Sequence, residues 1–450
     1  MPYGPHTDAD RERMLATIGV ATVDELFADI PVAVREGGLA LGPGEPEQLL
    51  MPALERLSAR NDVGRVSFLG AGAYRHHIPA AVDEIIRRGE FMTAYTPYQP
   101  EVSQGTLQTI YEYQSLIAEL TTMDVVSASH YDGASAAAEA ALMMLRATRR
   151  ERILVSEGVH PNVREVIATY FADRFALETV AVGEDGATDL TALQRALTDG
   201  DPVAGVMLAN PNFFGILEPM ADAASRAHEA GALFTAVVEP TSLMLLAPPG
   251  EVGADIATAE GQPLGMPLQF GGPYLGILAA TQTLARQIPG RLVGSARDAE
   301  GRPCYVMTMR AREQDIRREK AASNICTNQA LCALAATVYV STVGPEGLRN
   351  VAAQGAERAR ELEAALATTG VLRTHTGPYL NEFAVDVPDA ARVHADLLRR
   401  GFVAGLQLGP AIDDERFRDS LLLCTTEMTT SDDVTTFAAA VAATLAEVAA

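Results

Sequence analysis

No tryptophan occurs in this 450-residue chain, and Lys320 is the only lysine among its 35 basic residues. A mechanism that uses a lysine amine as nucleophile therefore has a single candidate. Cys304, Cys326, Cys332 and Cys424 form no CxxC pair and no metal-ligand spacing, which points to reduced, mostly buried thiols rather than a disulfide framework or a zinc site. No apolar run reaches the ~18 residues a membrane helix needs. The first 30 residues also lack a basic start followed by an apolar stretch, so no signal peptide is readable and the cytoplasm is the expected location. Positive charge is in deficit, with a formal net charge of -23. Phosphate backbones and anionic membranes are repelled by such a surface, and no nucleic acid or membrane is expected as a partner.

What remains is a globular chain in which 48% of residues are hydrophobic, long enough for two domains or three. The first 90 or so residues read as helical, with Thr7 and Thr22 as candidate caps and a break at Gly42-Pro43-Gly44-Glu45-Pro46. From Arg152 onward, short apolar runs alternate with helical patterns. Arg152 to Val159, Leu177 to Val182, Val203 to Ala209, Leu233 to Val238, Ala254 to Ala257 and Tyr274 to Ala280 read as strands. The helical patterns between them include Asn162 to Ala172, Leu190 to Leu197 and Met220 to Glu229. This rhythm predicts an α/β fold with a mostly parallel, doubly covered sheet. Helices from Gln329 to Ser341 and Glu346 to Ala367 precede a smaller α/β set, with strands at Val371 to Thr374, Glu382 to Val387, Phe402 to Leu406 and Leu421 to Thr425. The expected divisions are an N-terminal arm at 1–90, a large α/β domain at 91–328 and a small C-terminal domain at 329–450.

Several segments carry candidate chemistry. Asp132-Gly133-Ala134-Ser135 places a glycine turn before a strong helix pattern. Such a turn can hold a phosphate on free N–H groups, or it can be an ordinary cap made by Asp132 or Ser135. His160 follows a strand at the sheet edge where ligands of parallel sheets gather. Its ring can stack on a flat cofactor or serve as a hydrogen-bonded structural group. Glu239 ends another strand, where a carboxylate can pair with a pyridinium nitrogen or cap the next turn. Gly261 to Tyr274 is a long Gly/Pro loop suited to close backbone approach. The strip Tyr95-Thr96-Pro97-Tyr98-Gln99-Pro100-Glu101 concentrates amphipathic rings of the kind found at binding surfaces. Arg310 to Lys320 is a dense charge run, a pattern usual on solvated helix faces. His76-His77 does not suggest a metal site, because adjacent residues do not share a helix face.

Taken together, these segments resemble a known family. Phe68-Leu69-Gly70-Ala71-Gly72-Ala73-Tyr74, Glu90 to Gln99 with Ser103-Gln104-Gly105, Tyr131 to Ala134, Pro248 to Glu251 with Gly253 to Ile256, the loop Gly261 to Gly276, Arg312-Glu313-Gln314 and Arg317 to Leu331 are similar to the alpha subunit of the glycine cleavage system P-protein. The resemblance runs from near residue 1 to the C-terminus. It implies a type I pyridoxal-phosphate-dependent transferase fold, aspartate aminotransferase-like. It further implies an enzyme that decarboxylates glycine and hands the aminomethyl group to the lipoyl arm of H-protein.

In that fold the Schiff-base lysine lies on a loop after a late strand, a place that corresponds to Glu260 to Leu268, where this sequence has none. The resemblance thus implies a chain without covalent pyridoxal phosphate, paired with a beta chain that supplies lysine and cofactor. Gly133, His160 and Glu239 would form a remnant site, with Glu239 where active members of the fold carry aspartate. Tyr95, Thr96, Tyr98, Gln99 and Glu101 would line a cleft shared with the partner, and Arg310 to Lys320 is a second candidate. Two other readings remain open: a self-sufficient enzyme using Lys320, and a non-catalytic scaffold that stabilises the beta chain and docks H-protein.

Overall fold

The computed structural model describes residues 5–35 and 40–449. Residues 1–63 and 64–450 form separate units. In the first, the Thr7 hydroxyl accepts from the Asp10 amide while the Asp10 carboxylate accepts from Thr7, closing a capping box on the helix Asp8–Ile18. Thr22 caps the short turn Val23–Phe27, and a second helix spans Glu47–Ser58. None of the described residues of this unit is buried. Residues 64–90 belong to the second unit, where Val66–Ser67 forms a strand beside Phe402–Val403.

After this strand and the short helices Ala80–Ile86 and Gly89–Met92, the unit continues with helix α1 (Gln104–Thr121) and strand β1 (Val125–Val126), followed by α2 (Gly133–Thr148). Strands β2 (Arg152–Ser156), β3 (Ala176–Val180), β4 (Val203–Asn210), β5 (Leu233–Val238), β6 (Ile256–Glu260) and β7 (Gly276–Ala280) complete a seven-stranded sheet. Helices α3 (Pro161–Phe171), α4 (Leu190–Thr198) and α5 (Met220–Glu229) connect successive strands. The strand order is β1-β7-β6-β5-β4-β2-β3, with β7 antiparallel to both neighbours and the remaining pairs parallel.

Alternate residues explain why these runs are almost uninterruptedly apolar. Ile153, Val155, Met207 and Ile256 pack in one core with α2, whereas Leu154, Val206, Leu208 and Ala257 pack in another with α5 and the inner face of a later helix. Both faces are covered, so neither can be polar. Each fully buried Leu, Ile or Val contributes about 1.5–3 kcal/mol relative to exposure.

That later helix, α6 (Ala330–Ala367), is broken at Gly344, whose φ of 65° and ψ of 177° lie outside helical geometry, and Pro345 follows. It is therefore two helices in sequence. By length and composition α6 is also apolar enough to cross a membrane. Ala333, Ala336 and Tyr339 on its first half are instead packed into the core of this unit. A four-stranded antiparallel sheet follows, ordered Leu372–Arg373, Glu382–Asp386, Ser420–Cys424, Leu406–Gln407. The run Phe402 to Leu406 yields two short strands rather than one, with Gly405 at positive φ between them. A hairpin of Leu292–Arg297 and Pro303–Thr308 completes the unit.

Candidate active site: a strand-end cavity and a polar face

Loops at the carboxyl ends of β2, β4, β5 and β6 meet the start of α2 around a cavity of about 350 Å³. This is where ligands collect in open α/β sheets. Gly133, His160 and Glu239 all line it, Gly133 from the start of α2 and the other two from the ends of β2 and β5. Tyr95, Thr96, Tyr98, Gln99, Glu101 and Lys320 do not.

The three remnant-site residues are each committed to contacts within the chain. Asp132 caps α2 by accepting from the Ser135 amide at 2.7 Å, and the Ser135 hydroxyl returns the contact to the Asp132 amide at 3.1 Å. The Gly133 N–H donates to the Glu260 carboxylate at 2.9 Å. At His160, Nδ1 accepts from the Asn162 amide at 3.1 Å, which leaves the proton on Nε2 for the Ala71 carbonyl at 3.0 Å. Burial holds this imidazole below its ordinary pKa, which favours the neutral form. Its ring meets Phe213 edge-on, with centroids 4.8 Å apart. Glu239 accepts from the Thr241 amide, the Thr241 hydroxyl and the Ser242 amide at 3.0, 2.7 and 2.7 Å, capping the turn after β5.

Two further carboxylates face the cavity that the sequence did not single out. Glu382 is buried; it accepts from the Ala71 amide at 2.6 Å and the Tyr74 hydroxyl at 3.0 Å. Burial pushes its carboxyl up to about 7, against the pull of those hydrogen bonds. Glu260 ends β6 and accepts from the amides of Gly133, Gln262 and Leu275. Burial pushes it up to about 7 as well. The rule that drew attention to Glu239, a carboxylate closing an apolar strand, applies equally to Glu260. The Phe68 to Tyr74 segment is pinned over the cavity by these groups and by Gln262, which exchanges hydrogen bonds of 2.9 Å with the backbone of Tyr74.

The 95–101 strip lies on another polar face. Tyr95 and Tyr98 are 67% and 50% exposed. The Arg291 guanidinium donates to the Thr96 hydroxyl at 3.2 Å and sits 5.7 Å from the Tyr98 ring centroid. Glu313 approaches Arg291 at 3.9 Å, and Arg312 donates to the carbonyls of Ile288 and Gly290. Arg291 Nε, Arg312 Nε and Glu313 Oε1 are buried and have no hydrogen-bond partner among the described residues. The charge run thus divides: Arg312 and Glu313 belong to this cluster, while Lys320 is exposed.

Comparison with known proteins places this architecture. The family of the glycine cleavage system P-protein matches residues 1–441. A protein of Moorella thermoacetica named as a probable glycine dehydrogenase (decarboxylating) subunit 1 is 50% identical, over 99% of this chain and 100% of that one. One of the same name from Desulfitobacterium hafniense is 46% identical, over 96% and 98%. A crystal structure of glycine decarboxylase (P-protein) of the glycine cleavage system, in inhibitor-bound form, superposes with a TM-score of 0.91 at 43% identity, covering 99% of this chain and all of that one. A NifS-like protein from Rickettsia africae, at 0.63 and 16% identity over 84% and 99% of the two chains, shares the fold alone. The sheet order and the neighbours together are those of the type I pyridoxal-phosphate-dependent transferase fold. The chain belongs to the glycine cleavage system P-protein family.

Proposed function

We propose that this chain is subunit 1, the alpha half, of a split glycine dehydrogenase (decarboxylating), active as a pair with a beta chain. In that pair the carboxyl group of glycine leaves as carbon dioxide and the aminomethyl group passes to the lipoyl arm of H-protein. One observation carries the division of labour. The cavity of a pyridoxal-phosphate fold is present here, yet it has no lysine or arginine in its lining, and four carboxylates, Asp132, Glu239, Glu260 and Glu382, face it. These residues do not fit pyridoxal phosphate on this chain, because a Schiff base needs an amine and a phosphate needs donors or cations. We therefore assign lysine and cofactor to the beta chain; the cytoplasm is proposed as the compartment from the acidic composition and the lack of a readable signal peptide.

This chain's contribution is then made across the interface. Tyr95, Thr96, Tyr98, Gln99 and Glu101 are assigned to the wall of the partner's cleft. The buried groups of Arg291, Arg312 and Glu313 that lack partners support this, since such groups are seldom left so. Their role is to orient substrate and exclude water. In the reconstituted pair, Tyr95→Phe with Gln99→Ala lowers turnover at least tenfold while the pair still assembles. Unchanged turnover in an assembled pair contradicts this assignment and favours a scaffold.

A further inference from the structure

Glycine turns at helix N-termini bind anions because their N–H groups are free and the helix dipole is positive there. In this chain the Gly133 turn already holds a carboxyl group. Three backbone amides converge on the two oxygens of Glu260: Gly133 and Gln262 at 2.9 Å and Leu275 at 3.1 Å. The approach is so close that a Cβ at Gly133 would come within 2.8–2.9 Å of Glu260 N, Cα and Cβ. No ligand group fits between the turn and the end of β6. The carboxyl group arrives from the end of β6, one of the strand ends that frame the cavity. Asp132 beside it adds a second carboxyl group, and the cavity lining offers no lysine or arginine in return.

We propose that the Glu260 carboxyl group is a built-in occupant of the phosphate-recognising turn and closes this chain's cavity to phosphate-bearing cofactors. The lack of a lysine forbids a covalent bond to the cofactor; Glu260 additionally forbids its non-covalent capture. A complex of two similar folds then loads cofactor only on the partner. This property belongs to the chain by itself and holds or fails independently of the division of labour proposed above.

The test uses the full chain and pyridoxine 5′-phosphate, which lacks the aldehyde and cannot bond to Lys320. Equilibrium dialysis of the wild-type chain shows no saturable retention of the probe, and its melting temperature does not respond to formate or inorganic phosphate at matched ionic strength. Glu260→Ala vacates the three-amide nest. The variant melts lower, recovers with formate or phosphate in a saturable manner, as binding to the folded state requires, and retains up to one probe molecule per chain. Saturable retention by the wild type overturns the proposal, and so does a folded Glu260→Ala chain with no response to any of these anions. If that variant does not fold, amide hydrogen exchange on the wild type decides. Slow exchange at Gly133, Gln262 and Leu275, unchanged by phosphate, supports the proposal, and further slowing by phosphate overturns it.

Discussion

Replacing Glu382 by glutamine should make the protein more stable at neutral pH and not at acid pH. Glu382 is buried, and its carboxyl sits at about 7 in the folded chain against an ordinary value of 4.5. Between those two pH values the folded chain keeps a proton that the unfolded chain has released. The sign follows: stability falls as pH rises through this window, and the loss is complete above about 7. At 1.36 kcal/mol for each pH unit of displacement, the burden at pH 8 is on the order of 3 kcal/mol. Glutamine can keep the Ala71 amide as donor and turn its own N–H to the Tyr74 hydroxyl, so both contacts survive without the charge. Urea unfolding of both chains, followed by tyrosine fluorescence and circular dichroism from pH 4.5 to 8, measures the difference. The variant's advantage is absent at the acid end and grows to roughly 2–3 kcal/mol at the other. Parallel pH curves for the two chains would refute the reasoning, because they would mean that Glu382 titrates alike folded and unfolded.

Two other substitutions probe the core and the solitary lysine. In β4, a Cβ at Gly205 would lie 2.1 Å from Met144 Sδ in α2, so Gly205→Ala costs about 1–3 kcal/mol by overpacking; urea unfolding of Gly205→Ala in a Met144→Ala background should show most of that cost removed. Lys320 is exposed and outside the cavity lining, so Lys320→Ala leaves the absorbance spectrum and the turnover of the reconstituted pair unchanged, and lost cofactor absorbance would revive the self-sufficient reading.

Much of the architecture was legible from the sequence because the large sheet is buried on both faces. Runs such as Leu233 to Val238 must then be continuously apolar, and they stand out against the helical patterns between them. The strand-end rule singled out His160 and Glu239, and the glycine turn before a helix singled out Gly133; all three line one cavity. Other elements left weaker traces. Strand β1 has only two residues, and the hairpin strand Leu292–Arg297 mixes Gly, Ser and Arg into an apolar start without clean alternation. Glu260 and Glu382 did not stand out because their burial depends on segments around Gly133 and Ala71, far away in sequence. The Tyr95 to Glu101 strip was conspicuous by composition, but its contacts with Arg291, from a remote part of the chain, were not legible. The divisions at residues 90 and 328 stand as a proposal that limited proteolysis can address.

The central claim is that this chain needs a partner to carry the cofactor. The most direct measurement is the absorbance spectrum of the purified chain with pyridoxal phosphate, alone and then mixed with its beta partner, alongside glycine-dependent carbon dioxide exchange in the presence of H-protein. The account predicts a cofactor band bound to protein, and exchange, only in the mixture. A stable bound-cofactor band with exchange in the isolated chain would contradict it.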